Sequence, residues 1–486
     1  MTLSHKGFIS LSLLIILAKV SGFFKDLSIA YFFGVNESTD AFFLSMFLSS
    51  LVYTALYSSI SLIVIPKYTL YREKKCTDDE VFSIFFMFIL ASLILTVFIY
   101  CYAEYLVVYL SSSKSLSVNK NATLFLQIMA LTFPLSTMVG ILNSLQSVRG
   151  TFSFVYVTPV FNNLLFCLAL VLFHTSLGML AAVIAGVISW LCVFIFNFKN
   201  ESLSVNRVFR LLPFIKLKYA HITLFGGAFL FVFIEQINNY IPIYLATMAD
   251  SGSLTVYSFA TKLNLLVLSV TLMLTTTHLM PKLAKCEEPG QLNLFLRELL
   301  NIILLLSLPV VVVVTIYSEP IVKIVFLRGD FSSENAKEVA LILSIIISAV
   351  PLIIIKDIFN RVFFSQSRVL LCVALTFTIL IFNILFSYYL FHEFGLSGAA
   401  TAFVISSFFQ MLLLSLFIFG YVGITFLLFI FFTLLKRLFL AVIPALLLLI
   451  IDMTLLEFIF AYFTTYLLLL WSIRDAIVIV FFKRIF

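Results

Sequence analysis

Four lysines, Lys19, Lys25, Lys262 and Lys356, stand inside long apolar runs of a chain with only 11% charged residues. An ammonium group in hydrocarbon costs roughly 3 kcal/mol or more, so an intramembrane lysine is kept where it meets an anion or a water-filled cavity. The first two belong to Ala18-Lys19-Val20-Ser21-Gly22-Phe23-Phe24-Lys25-Asp26. Lys19, Gly22 and Asp26 recur at spacings of three and four, which is one face of a helix. Asp26 can neutralise one lysine. The positive charge left over suits an anionic group such as a phosphate. The structural alternative pairs these lysines with acids on other helices, Glu235 among them. Lys262 has no acid three or four residues away and is the foremost candidate for contact with an anionic substrate. Lys356-Asp357 reads as a self-compensating structural pair.

The acids and amides complete the candidate set. Asp40 lies in Ser38-Thr39-Asp40-Ala41-Phe42-Phe43. Ser38 or Thr39 can cap a helix there, and an acid in the first turn suits the dipole. The functional alternative is a gate in which Asp40 closes against a basic group on the far side of the membrane. Glu235 is a lone intramembrane acid after Gly226-Gly227, and it shares a helical face with Asn238 and Asn239. Such an acid balances charge or carries a coupling ion; hydrogen bonding between helices is the structural alternative. Asn264, beside Lys262, is a further polar group for a cavity. Asp26, Asp40 and Glu235 are thus the expected gating or charge-balancing groups.

Several chemistries are disfavoured. The five histidines form no HExxH, and no Gly-rich phosphate loop is present. Transport would therefore draw on an ion gradient, the membrane potential or a substrate gradient. The six cysteines show no metal or disulfide spacing, so no metal or cofactor is expected. A membrane glycan polymerase would need catalytic carboxylates on a sizeable outer loop, which the sequence lacks. An exporter of cationic drugs would want acids rather than lysines in its cavity.

The elements that position these residues are membrane helices. Hydrophobic residues make up 63% of the 486 and mean hydropathy is +1.17, far from the roughly 45–50% apolar share of soluble domains. About 20 residues span the hydrocarbon, and fourteen stretches qualify. They fall near 8–33, 39–65, 82–104, 122–147, 154–174, 177–198, 219–247, 253–280, 299–317, 338–360, 369–391, 396–420, 437–451 and 456–472. The expected fold is all-α and polytopic. The N-terminal run lacks a small-residue cleavage site and reads as a retained first helix. Twenty-one of the 30 Lys and Arg fall on one set of connections, Lys436 and Arg437 among them, and five on the other. The positive-inside rule then puts both termini in the cytoplasm, and the net charge of +7 reflects this bias rather than nucleic-acid binding.

An internal echo recurs at an offset near 216–220. Ile65-Pro66-Lys67-Tyr68 matches Met280-Pro281-Lys282-Leu283, and Asn143 … Arg149 … Asn163 matches Asn360 … Arg368 … Asn383. A unit of six helices is even, so both copies point the same way, as in transporters built from parallel repeats. The expected organisation is an N-lobe at 1–198, a cytoplasmic linker at 199–218, a C-lobe at 219–422, and two C-terminal helices with a tail at 423–486. Substrate would sit between the lobes near the midplane.

The block from Ala18 to Gly34, followed by Ser38-Thr-Asp-Ala-Phe-Phe43, resembles the helix 1–2 signature of the MurJ/MviN lipid II flippases. These belong to the multidrug/oligosaccharidyl-lipid/polysaccharide exporter superfamily. The likeness continues through Ile141-Leu-Asn143, Pro159, Asn162, Ala260-Thr-Lys-Leu263 and Phe326-Leu-Arg-Gly-Asp-Phe331. It implies fourteen helices and a non-enzymatic flippase of the bacterial cytoplasmic membrane. It also implies an undecaprenyl-diphosphate-linked saccharide as substrate, moved by alternating access. By position, Lys19 and Lys25 match two helix-1 arginines, Asp40 a helix-2 aspartate and Lys262 a helix-8 arginine. An expected pair of arginines is Tyr53 and Thr54 here, and an expected acid is Leu265. Lysine keeps the charge but loses the bidentate fork of arginine. Lipid II and a surface-polysaccharide repeat unit both remain as cargo. The expected partners are this lipid-linked anionic saccharide, membrane lipids and a monovalent coupling ion, with the protein as a monomer.

Overall fold

The computed structural model describes residues 5–72, 78–110, 115–149, 153–200, 219–283, 289–365, 369–422, 424–451 and 454–472. Most of the expected 199–218 linker and the tail after 472 lie outside the described residues. The first half holds α1 (His5–Phe33), α2 (Glu37–Arg72), α3 (Asp78–Leu110), α4 (Leu116–Ala130), α5 (Thr132–Arg149), α6 (Ser153–Leu177) and α7 (Leu180–Asn200). Then come α8 (Tyr219–Met248), α9 (Ser253–Leu283), α10 (Pro289–Ile316), α11 (Ser318–Phe326), α12 (Ser333–Ile346) and α13 (Val350–Ser365). The chain continues through α14 (Val369–Val422), α15 (Ile424–Leu448) and α16 (Leu455–Ser472). No strand occurs among the described residues. Among the described residues, eleven segments are long and apolar enough to cross a membrane. Each of the fourteen stretches read from the sequence overlaps helical segments, although two of them, 122–147 and 338–360, are each divided between two helices.

Local chemistry sets the boundaries. Leu131 breaks the expected fourth span into α4 and α5. A 3-10 turn at Ile347–Ala349 joins α12 to α13, next to Pro351, which has no N–H to continue the ladder. Within α14, Gly395 adopts φ 60 and ψ −140 and divides two helices, a backbone state that glycine reaches without steric cost.

One expectation fails at the C-terminus. Lys436 and Arg437 do not lie in a connection, because α15 already begins at Ile424. Arg437 is 2% exposed, and its Nε donates to Asn301 Oδ1 of α10 at 2.7 Å. A guanidinium held by a half-buried acceptor can stay inside an apolar helix, which a count of charges along the sequence cannot foresee.

The chain forms two compact units. The first comprises residues up to Ser258 together with Arg328–Ser332. Helix α2 is its centre and packs on α3, α4, α5 and α8. Ile60, Ile63 and Val64 of α2 meet Ile84 and Phe88 of α3 and Ile141 and Leu145 of α5 in one buried cluster. Helix α8 thus packs in this unit. Leu90, Leu93, Ile94 and Val97 of α3 are exposed, as suits a face toward lipid. Exposed Tyr100, Tyr102, Tyr105 and Tyr109 follow toward the end of the helix, the composition of an interfacial aromatic belt.

The second unit comprises Phe259–Leu327 and Ser333 onward. In it α13 packs on α14, α10 on α15, and α15 on α16. Tyr462 donates to the Ala441 carbonyl at 2.9 Å and Tyr466 to that of Leu305 at 3.1 Å. These phenols satisfy their hydroxyls while burying their rings.

Candidate functional site

In the first unit, the connections that alternate crossing puts on one side of the membrane meet one another. The end of α1, the start of α2, the end of α3, the turn between α8 and α9 and the segment Arg328–Ser332 converge there. Asn36 caps α2: its Oδ1 accepts from the backbone N–H of Ser38 at 2.9 Å and of Thr39 at 3.0 Å, and Thr39 Oγ1 accepts from Asn36 N–H at 2.9 Å. This reciprocal arrangement is a capping box, so the cap is Asn36 rather than Ser38 or Thr39 alone.

Asp40 is therefore not spent on its own helix. Its Oδ2 accepts from Gly252 N–H at 2.7 Å, and its Oδ1 from Thr255 N–H at 2.9 Å and Thr255 Oγ1 at 2.6 Å. A carboxylate of α2 thus supplies the N-terminal cap of α9, where amide donors and the helix dipole favour negative charge. Of the two roles read from the sequence, the gate would pair Asp40 with a basic group; its partners here are two amides and a hydroxyl. Beside it, Glu37 accepts from Ser115 at 3.1 Å and also from Ser117, and Tyr240 donates to the Leu110 carbonyl at 2.7 Å. A cavity of about 270 Å³ lies here, lined by Glu37, Asp40, Ser115, Asp250 and Leu254 among others.

Glycine permits the tightest contact at this end. Gly34 and Gly329 have φ 57 and φ 61. A Cβ on Gly34 would lie 2.5 Å from the Asp330 carbonyl oxygen, and one on Gly329 would lie 2.3 Å from that of Tyr31. Asp330 N–H donates to the same Tyr31 oxygen at 3.2 Å.

The helix-1 lysines differ from each other. Lys19 is exposed. Lys25 is half-buried, with its Nζ 5.0 Å from the centre of the Phe166 ring on α6, within cation–π range. Asp26 is 8% exposed. Asn163 Nδ2 donates to Ser21 Oγ at 3.1 Å, and Gly22 leaves room for that amide. The small residues of helix 1 are thus used for packing α1 on α6. On α8, Glu235 is half-buried, Asn238 is 9% exposed and Asn239 is exposed.

The second unit holds Lys262, half-buried, and Asn264, 3% exposed with its Oδ1 buried and without a hydrogen-bond partner. The repeat-related Asn143 of the first unit and Asn360 of the second are each 4% exposed, and each likewise has a buried, unpartnered Oδ1. Lys356-Asp357 is not the self-contained pair the sequence suggests. Asp357 Oδ2 lies 2.8 Å from Arg361 Nε, one turn on, because neighbours i and i+1 diverge around a helix whereas i and i+4 meet. Outside the spans, Lys323 Nζ sits 2.7 Å from Glu319 Oε1 and holds that carboxyl below its ordinary value.

Sequence reasoning did not find Asn36, Gly252, Thr255 or the Gly34–Gly329 contact as parts of one cluster. The signals were local ones: Asp250-Ser-Gly-Ser253 is a turn sequence before a helix.

The fold is that of the transporters of the multidrug/oligosaccharidyl-lipid/polysaccharide superfamily. The chain aligns with a lipid II flippase MurJ in an inward closed conformation at a TM-score of 0.81 and 20% identity, covering 96% of this chain and all of that one. It aligns with an inward-facing multidrug resistance MATE transporter at 0.69 and 12%, covering 82% and 94%. The family model of the lipid II flippase MurJ matches residues 29–472. The chain belongs to the lipid II flippase MurJ family. Curated relatives include the probable lipid II flippase MurJ of Aquifex aeolicus, 25% identical over 74% of this chain and 72% of that protein. The protein of that name from Thermotoga maritima is 23% identical over 82% of each. Membership in a family of flippases makes the protein a multi-pass membrane transporter rather than an enzyme.

Proposed function

We propose that the protein carries a lipid-linked saccharide, lipid II, from the inner to the outer leaflet of the bacterial cytoplasmic membrane by alternating access. The family match across residues 29–472 carries this reading and favours lipid II over a surface-polysaccharide unit. In this reading an N-lobe at 1–198 and a C-lobe at 219–422 change conformation during transport, with the 199–218 linker and both termini in the cytoplasm. Lys19, Lys25 and Lys262 attract the diphosphate, which a cation in a low-dielectric site binds far more strongly than one in water. Asn238, Asn239 and Asn264 meet the polar head group while the lipid tail stays in the membrane. Asp40 closes the outer end by capping α9, and release of that cap opens it. Asp26 and Glu235 balance the lysine charge when the site is empty, and Glu235 is the acid placed to take up a monovalent coupling cation. The protein works as a monomer.

The test is complementation of a bacterial strain depleted of its lipid II flippase, paired with transfer of labelled lipid II between leaflets of proteoliposomes. Growth rescue and transfer are expected from the wild type, and loss of both from a well-expressed Lys262→Ala protein. Lys262→Arg retains them, since the charge is kept. A wild type that inserts yet transfers no lipid II refutes the function. Normal transfer by Lys262→Ala refutes the role of that lysine.

A further inference from the structure

The accessible face of α2 does not resemble a lipid-facing surface. Ser50, Tyr53, Thr54, Tyr57, Ser58 and Ser61 are half-buried and recur at three- and four-residue spacing, so they form one stripe. Between Ala41 and Ser61 no described residue of α2 is fully exposed. The lipid-facing stripe of α3, by contrast, is Leu90, Leu93, Ile94 and Val97. Ser50 and Ser61 return their hydroxyls to the helix backbone, to the carbonyls of Phe47 at 2.8 Å and Ser58 at 2.9 Å, so the hydroxyls this face can offer a ligand are those of Thr54, Tyr57 and Ser58.

Aromatic rings stand within that stripe. Tyr53 and Tyr57 lie 5.8 Å apart between ring centres, and Tyr53 lies 5.6 Å from Trp190 of α7. Asn143 Nδ2 donates to the Tyr57 hydroxyl at 3.1 Å, and Gly140 lets the Tyr57 ring pack close to α5. The Tyr57 phenol is thereby oriented, with its own O–H left to donate. Tyr53 and Thr54 sit at the midpoint of the 36-residue α2.

We infer that Tyr53, Tyr57 and Trp190 form a stacking subsite for a sugar ring of the transported lipid. This deepens the proposed function and rests on it. A pyranose presents apolar C–H groups on its faces and hydroxyls at its edge. Rigid aromatic faces take the first, and the Tyr57, Thr54 and Ser58 hydroxyls take the second; ligand sites combine apolar walls with a few fixed polar groups in this way. The subsite selects lipids that carry a saccharide, while the lysines respond to the diphosphate alone.

The chain has two tryptophans, Trp190 and Trp471, and Trp471 is exposed on α16. Trp471→Phe therefore leaves Trp190 as the sole tryptophan, read by excitation at the red edge where tyrosine does not absorb. Two probes are titrated into this protein in detergent: undecaprenyl diphosphate bearing a disaccharide, and undecaprenyl diphosphate without sugar. Retention of radiolabelled lipid on the purified protein reports binding of either probe, and a saturable change of Trp190 emission is expected with the first probe only. Tyr53→Ala weakens binding of the saccharide-bearing lipid about tenfold and leaves the sugarless lipid unchanged, whereas Tyr53→Phe stays near wild type. Tyr53→Leu, which keeps apolar bulk without an aromatic face, serves if the alanine variant does not fold. Equal weakening for both lipids, or no weakening for either in a folded variant, overturns the subsite. Binding of neither lipid by the wild type overturns the transport reading and the subsite with it.

Discussion

Asp40 and Thr255, 215 residues apart in sequence, meet twice on one carboxylate oxygen: the Thr255 backbone N–H and its hydroxyl both donate to Asp40 Oδ1, at 2.9 and 2.6 Å. Together with Gly252 N–H on Oδ2, they make a buried cap that joins the start of one membrane helix to the start of another. A charge-assisted bond of this kind is roughly twice as strong as a neutral one.

Removing that cap has a graded cost. Asp40→Ala leaves buried donors unsatisfied, at about 1–3 kcal/mol each, and is expected to lower the thermal midpoint in detergent and abolish transfer. Thr255→Val removes the hydroxyl alone, at about 1 kcal/mol, and leaves measurable transfer. The double variant is no worse than Asp40→Ala, because both changes act on the same bonds. Strictly additive losses in thermal melts would show that the two residues act separately.

The glycine contact is the second test. Gly34→Ala and Gly329→Ala each place a Cβ against a backbone carbonyl at positive φ, a strain of about 1–3 kcal/mol before the clash itself. Both variants are expected to melt earlier than wild type and to lose growth rescue at elevated temperature first. Gly186→Ala is the control. That helical glycine has nothing within 4 Å of a new Cβ, and alanine gains up to about 1 kcal/mol of helix propensity. Equal melting of all three variants would remove the claim of a close contact at the end of α1.

Arg437 and Asn301 give an asymmetric pair. Arg437→Leu frees Asn301 and costs about 1–3 kcal/mol for the lost partner. Asn301→Leu removes one acceptor from a buried guanidinium, which costs more than that, because the donor it leaves is charged. Thermal melts should therefore rank Asn301→Leu below Arg437→Leu. The reverse order would mean that the arginine is solvated within the membrane.

Much of the architecture was legible in the chain. Apolar runs of spanning length located fourteen helical stretches, since a bilayer admits little else for a backbone that must satisfy its own hydrogen bonds. The gap between the expected spans 369–391 and 396–420 coincides with Gly395, where two helices divide. The Ala18–Gly34 and Ser38–Phe43 block pointed to the family that the match over residues 29–472 establishes. Charge counting worked less well. It put Lys436 and Arg437 in a connection, where α15 instead runs on through both. It also joined Lys356 to Asp357, although Asp357 turns to Arg361.

Composition and hydropathy by themselves determined that this is an all-helical membrane protein, and residue types at short spacing nominated Lys19, Lys25, Asp26, Asp40, Glu235 and Lys262. Only tertiary structure decided what those side chains touch. Asp40 meets Gly252 and Thr255, Lys25 lies over Phe166, and the Tyr53 ring packs at a tilt against Trp190. The reason is physical. Crossing a bilayer is a property of each segment alone and depends on its length and transfer energy. A hydrogen bond or ring contact depends on two segments far apart in the chain meeting within a few ångströms, and the spacing of residues along either segment contains no record of that meeting.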